Sequence, residues 1–156
     1  MISKHISYKE GIHSITAIRL GIENVPDNKQ LNNMELISEK IFEPLRQWVG
    51  GPIKINSFFR CPDLNKAIGG SSKSQHCKGQ ALDLQFWKDG QMINQEIYKW
   101  VLNSDIEFDQ MINEFDYAWI HISLKEKKNR KQVLEAYKDD DGDTAYRVAD
   151  INQTAL

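Results

Sequence analysis

The stretch Ser74-Gln-His-Cys-Lys-Gly-Gln-Ala-Leu-Asp-Leu84 sets a small puzzle. Its last four residues, Ala81 to Leu84, read as strand. Side chains alternate between the two faces of a strand, so Leu82 and Leu84 share one face and Ala81 and Asp83 the other. An aspartate so close to apolar neighbours needs a partner, because burying a lone carboxylate is costly. A cation, a set of hydrogen-bond donors or a metal ion would each serve. Gly79 permits a tight bend that returns His76 over the strand.

A second segment has the same character. In Trp119-Ile-His-Ile-Ser-Leu124, Ile120, Ile122 and Leu124 face one way, and His121 faces the other beside Trp119 and Ser123. Two strands thus each aim one metal-capable side chain away from the hydrophobic layer. With His76 they form a candidate His/His/carboxylate set, a combination that suits zinc. Three protein ligands leave a fourth position for water, the pattern of a catalytic zinc site. Cys77 adjoins His76 but points elsewhere in an extended stretch. His5 and His13 have no evident partners and read as ordinary histidines.

The surrounding pattern is α+β. Ser7 caps an expected helix from Tyr8 to Arg19, closed by Gly21. The strongest helical period is Leu31, Met34, Ile37, Ile41, Leu45 and Trp48, with Pro44 expected to kink or split it. Strand signals cover Ile53–Phe59 and Ala81–Trp87, and short helices Pro62–Ile68 and Asn94–Asn103. Phe108–Phe115 and Trp119–Leu124 read as a hairpin, and Lys131–Tyr137 as an edge strand. The expectation is a mostly antiparallel sheet with helices packed on one face. Residues 1–138 form the expected domain, and 139–156 an extension that frays. Asp139 to Asp143 lacks the ligand spacing of a calcium loop and reads as a solvated acidic turn.

Composition narrows the function. A chain of 156 residues supports one domain with a real core. Its net charge of −2 argues against a general nucleic-acid binder, and the basic run Lys125 to Lys131 reads as a solvated turn. No apolar run is long enough to span a bilayer, and the N-terminus lacks the apolar core of a signal peptide. Cytoplasmic synthesis, a monomer and no membrane partner are therefore expected. Cys61 and Cys77 are expected as reduced thiols rather than a disulfide framework.

Ser57 to Leu84, SFFRCPDLNKAIGGSSKSQHCKGQALDL, strongly resembles the zinc D-alanyl-D-alanine peptidase family. That family of cell-wall enzymes includes carboxypeptidases, dipeptidases and phage endolysins. The signature residues are Ser74 and His76, then Gly79, Ala81 and Asp83, then Trp119 and His121. Phe59-Arg60 and the run Asn65 to Gly69-Gly70 also fit. The likeness extends from about Ser3 to Tyr137 and implies the hedgehog/DD-peptidase fold.

The resemblance implies one Zn2+ held by His76, Asp83 and His121, with water in the fourth position. It also implies hydrolysis of peptidoglycan stem peptides by a D-Ala-D-Ala carboxypeptidase or an L-Ala-D-Glu endopeptidase. A phage-encoded enzyme acting on the bacterial cell wall would fit. Relatives usually carry an acidic base three residues before the last histidine, where this chain has Ala118. Glu114 is the expected replacement, paired opposite His121, with Asp116 as runner-up. Arg60 is expected to grip the substrate, helped by Ser74 and Gln110. The missing acid also keeps a second reading open, a catalytically inactive zinc module that binds peptidoglycan or peptide.

Overall fold

A computed structural model of the chain describes residues 1–150. Two short helices open it, α1 (Tyr8–Ile12) and α2 (Ile15–Leu20). They replace the single helix expected there. Ser7 and Glu10 form a capping box on α1, and the Ser14 hydroxyl caps α2 by accepting from the Ala17 N–H. A second cap so soon after the first ends one helix and starts another.

The long apolar period becomes α3 (Asn28–Ile37), a π turn (Ser38–Phe42) and α4 (Glu43–Val49) in one run. The regular α-helix is split where expected: the π turn ends directly before α4, and Pro44 lies in the first turn of α4. In the π turn the Glu43 N–H reaches back to the Ser38 carbonyl. A proline is tolerated in the first turn of a helix because its missing N–H would have had no regular helical partner there.

The sheet has seven strands: β1 (Ile53–Ser57), β2 (Ala81–Lys88), β3 (Gln91–Met92), β4 (Gln110–Glu114), β5 (Trp119–Ser123), β6 (Gln132–Lys138) and β7 (Thr144–Val148). Its order is β1-β2-β5-β4-β6-β7, with β3 paired to β2. Every pairing is antiparallel except β4 with β6. Helix α5 (Pro62–Ala67) follows β1, and α6 (Asn94–Leu102) precedes β4. The fold is thus α+β with a mostly antiparallel sheet.

One face of the sheet is the core. Leu82, Leu84, Phe86, Ile120, Ile122 and Met111 pack there against Met34, Ile37, Ile41, Phe42 and Leu45 of the long helical run, and against Ile97 and Val101 of α6. The period-2 pattern of the strands and the helical stripe therefore meet in one layer.

Two expectations about the far edge change. Lys131–Tyr137 does not form an edge strand; β6 lies between β4 and β7. The stretch after the acidic turn supplies the edge instead, with Tyr146 opposite Ala136 and Val148 opposite Leu134. Residues 151–156, the end of the expected extension, lie outside the described residues.

Candidate metal centre and cleft

The second face of the sheet carries the polar side chains. Its ladder lines up Ser57, Asp83, His121, Ile112, Leu134 and Val148 in one row. Asp83 and His121 are therefore direct cross-strand neighbours, with His121 Nδ1 2.9 Å from Asp83 Oδ1. A bulge in β1, between Ile55 and Ser57, brings Ser57 level with Asp83.

His76 comes from the 3₁₀ turn Gln75–Lys78. Ser74 caps that turn by accepting from the His76 N–H, and Gly79 closes it at φ +70°. A Cβ at Gly79 would stand 2.4 Å from the Gln30 carbonyl oxygen, so only glycine fits. The turn buries His76 to 2% exposure.

The His76 ring has a fixed tautomer. Its Nδ1 lies 2.6 Å from the Phe58 carbonyl oxygen, which can only accept, so Nδ1 carries the proton. Nε2 is then a lone pair. It is buried without a hydrogen-bond partner, and it stands 3.1 Å from Asp83 Oδ1. Two acceptors facing each other at that distance need a cation between or beside them. Burial lowers the His76 pKa and outweighs the pull of Asp83. Burial opposes ionisation of Asp83 as well, but the two flanking histidines hold its pKa well below the usual carboxylate range.

One ligand atom each from His76, Asp83 and His121 lie within 4.8 Å of one another, so these three could hold a metal ion. The orphaned Nε2 lone pair, the ionised carboxylate and the second imidazole suit a divalent ion with a preference for nitrogen and oxygen.

Arg60 supports this group from behind. Its Nη2 donates to Asp83 Oδ2 at 3.1 Å, and its Nε donates to Ser57 Oγ at 2.8 Å. The partner is Asp83 rather than its near neighbour in sequence, Asp63. With Oδ2 held by Arg60, Oδ1 turns toward the two histidines. Buried Asn65 adds a longer contact to Arg60 Nη1, at 3.5 Å, and its side-chain amide nitrogen donates to the Ser71 carbonyl.

Glu114 does not pair with His121. Ile112 stands opposite His121, and Glu114 stands opposite Trp119. The offset is two residues, so Glu114 keeps the same face and becomes a diagonal neighbour of His121. The turn after it explains the register. Phe115, Asp116 and Tyr117 all take positive φ, the Asn113 side chain accepts from the Tyr117 N–H, and the Glu114 carbonyl accepts from the Ala118 N–H. Buried Asn94 ties this turn to β2, accepting from the Phe86 N–H and donating to the carbonyls of Tyr117 and Ala118.

Glu114 is buried, with a pKa raised to about 7. Burial is the largest cause; the charge of Asp83 adds to it, while His121 and Arg60 oppose it. Asp116, the runner-up base, sits in the turn and is not among the residues lining the cleft.

That cleft has a volume of about 850 Å³ and contains His76, Asp83, His121, Glu114, Arg60, Ser74 and Gln110. The Gln110 side-chain amide donates to Gln132 Oε1 at 2.8 Å. Tyr146 and Thr144 of β7 and Phe115 also line the cleft. Sequence reasoning missed this wall. The alternation of Thr144, Tyr146 and Val148 was the available signal, and the acidic turn before it hid the strand. Cys61 and Cys77 are free, half-buried thiols.

The sheet order, the His/Asp/His group and the buried carboxylate define a metallopeptidase-like centre. Residues 4–123 match the family model described as Peptidase M15, and the chain belongs to that family. Its peptidases are zinc-dependent, and membership implies a peptidoglycan-related substrate. A search of curated proteins gave no match. No helix among the described residues is long and apolar enough to cross a membrane.

Proposed function

We propose that the protein is a zinc peptidase that hydrolyses stem peptides of peptidoglycan, as a D-Ala-D-Ala carboxypeptidase or an L-Ala-D-Glu endopeptidase. The observation that carries this reading is the buried, partnerless Nε2 of His76 beside an ionised Asp83 and His121, with Glu114 on the same face.

His76, Asp83 and His121 hold the ion in this reading. Bound zinc would acidify water and polarise the scissile carbonyl. Glu114 is the general base. A carboxylate that titrates near 7 is matched to accepting a proton from attacking water and returning it to the leaving amine. Arg60 keeps Asp83 oriented through Oδ2, and its place in the cleft wall lets it meet a substrate carboxylate or carbonyl as well. Ser74 shapes the turn that carries His76, and its hydroxyl faces the cleft region where peptide would lie. Gln110 presents its amide on the cleft floor beside Gln132. The acid that relatives carry in the place of Ala118 is supplied from the neighbouring strand by Glu114.

The test is incubation of the zinc-loaded protein with purified stem peptides, with products read by mass and a chelated control alongside. Loss of one terminal alanine identifies a carboxypeptidase. A break between the first and second stem residues identifies an endopeptidase. Zinc binding without any metal-dependent product would sink the peptidase reading in favour of an inactive peptide-binding module.

A further inference from the structure

The cleft has two chemically different ends. On β5, Trp119 and His121 line it, Ser123 is buried on the same side against the Gln110 backbone, and Lys125, just past the strand, lines it again. Beyond Trp119 lie Phe115, whose ring centroid is 5.5 Å from that of Trp119, and Tyr146. Beyond Ser123 lie Gln110 and Gln132, then Lys125 and Arg130. The His/Asp/His group sits between an aromatic end and a cationic end.

The cationic end is anchored on one carboxylate. Asp109 is fully buried at 0% exposure. Arg130 clasps it with Nη2 at 2.8 Å and Nε at 3.2 Å, and the Arg130 backbone N–H adds a third bond at 2.9 Å. Lys125 Nζ reaches the same carboxylate at 3.2 Å. One negative charge thus faces two positive ones, and a unit of positive charge is left over. The Arg130 side chain is 51% exposed and that of Lys125 34%, and both residues line the cleft, so both keep donors open to solvent there.

We propose that Lys125 and Arg130 form an anion subsite of the cleft, one that selects peptides bearing a carboxylate several residues from the scissile bond. The inference rests on the peptidase reading of the centre and adds to it a substrate class and an orientation. Lys125 lies four residues along the chain from His121, about 10–13 Å in extended backbone. An extended peptide covers that distance in three to four residues. Its acidic group meets Lys125 and Arg130, its scissile bond lies at the His/Asp/His group, and its far side rests against Trp119, Phe115 and Tyr146. Asp109 fixes the two cations in place, which limits the rotamer freedom lost on binding.

The experiment pairs peptides that differ only by glutamate or glutamine three to four residues from the cleaved bond, placed on either side in turn. Zinc-loaded wild type is expected to favour one glutamate peptide over its glutamine twin about fivefold to tenfold in kcat/KM, through KM, with the preference shrinking as salt rises. Lys125→Met should bring the ratio close to one, and Lys125→Arg should restore it. Arg130 continues to pair Asp109 in both variants, and matching melting temperatures would establish that the fold is intact. The same pairs are titrated by calorimetry. Glutamate preference in binding without any hydrolysis would uphold the subsite while refuting the peptidase reading. Equal handling of the twins by wild type, or an unchanged ratio in Lys125→Met, would overturn the subsite.

Discussion

Glu114 stands on the same face of the sheet as His121 but two residues along the β4–β5 ladder, with Ile112 filling the place directly opposite the histidine. The carboxylate therefore borders the candidate metal group without belonging to it. Glu114→Gln is expected to keep metal binding and to lower kcat by about 100-fold or more, the usual scale for a lost general base. Paired metal analysis and kinetics check this; a variant with wild-type turnover would remove Glu114 from the mechanism.

The raised pKa of Glu114 also has a stability consequence in the metal-free protein. The folded state holds its proton up to about 7, against 4.5 for a free glutamate side chain. Its contribution is intact below pH 4.5 and is lost as pH rises through 7. The shift corresponds to about 3 kcal/mol. Metal-free Glu114→Gln should therefore match wild type near pH 4 and exceed it in denaturant stability at pH 8. A constant difference across that window would mean that Glu114 titrates normally.

His76 carries the lone pair that lacks a partner. Adding zinc should raise the melting temperature of wild type, since a ligand at 100 times its Kd adds about 2.7 kcal/mol to stability. His76→Ala should abolish most of that increase. Calorimetric scans with and without zinc decide the matter, and an equal increase in both proteins would place the ion elsewhere.

Arg60 touches Ser57 and Asp83 through different nitrogens of one planar group. Lysine cannot reproduce that geometry. Arg60→Lys and Arg60→Met should both weaken zinc binding, by about 10- to 100-fold, as loss of a group behind a ligand generally does. Competition with a fluorescent chelator measures it, and unaltered affinity in Arg60→Lys would show that its charge alone suffices.

Asp109 offers a test unconnected with the metal. Burial opposes its ionisation, but hydrogen bonds from Arg130 and Lys125 hold its pKa at about 2, below the 3.8 of a free aspartate side chain. A depressed carboxyl stabilises the fold above pH 3.8 and loses that contribution as pH falls toward 2. The effect is about 2 kcal/mol. Asp109→Asn should be less stable than wild type at pH 7, with the gap closing in that acidic range; a gap that persists at pH 2 would rule out the linkage.

The alternation in Ala81–Leu84 and Trp119–Leu124 was enough to place Asp83 and His121 on the face away from the core, because a half-buried strand leaves little choice of side. The register of Glu114 was not legible. It depends on a turn in which Phe115, Asp116 and Tyr117 take left-handed backbone without a glycine to announce it. Pro44 was a legible signal, since the regular helix gives way to a π turn directly before the segment whose first turn holds it. β7 escaped notice because four of its five residues are exposed and the fifth, Ala145, is only partly shielded. Arg60 was visible as a cleft residue, but its contact with Asp83 arises from the β1 bulge, which has no signature of its own in the residues.

The placement of β7 divides the cleft by origin. The three candidate metal ligands and Glu114 fall within residues 4–123, the stretch that matches the family, whereas Gln132, Leu134, Thr144 and Tyr146 lie beyond it. Substitutions in this last hairpin can reshape what the cleft accepts without disturbing the chemistry beside it.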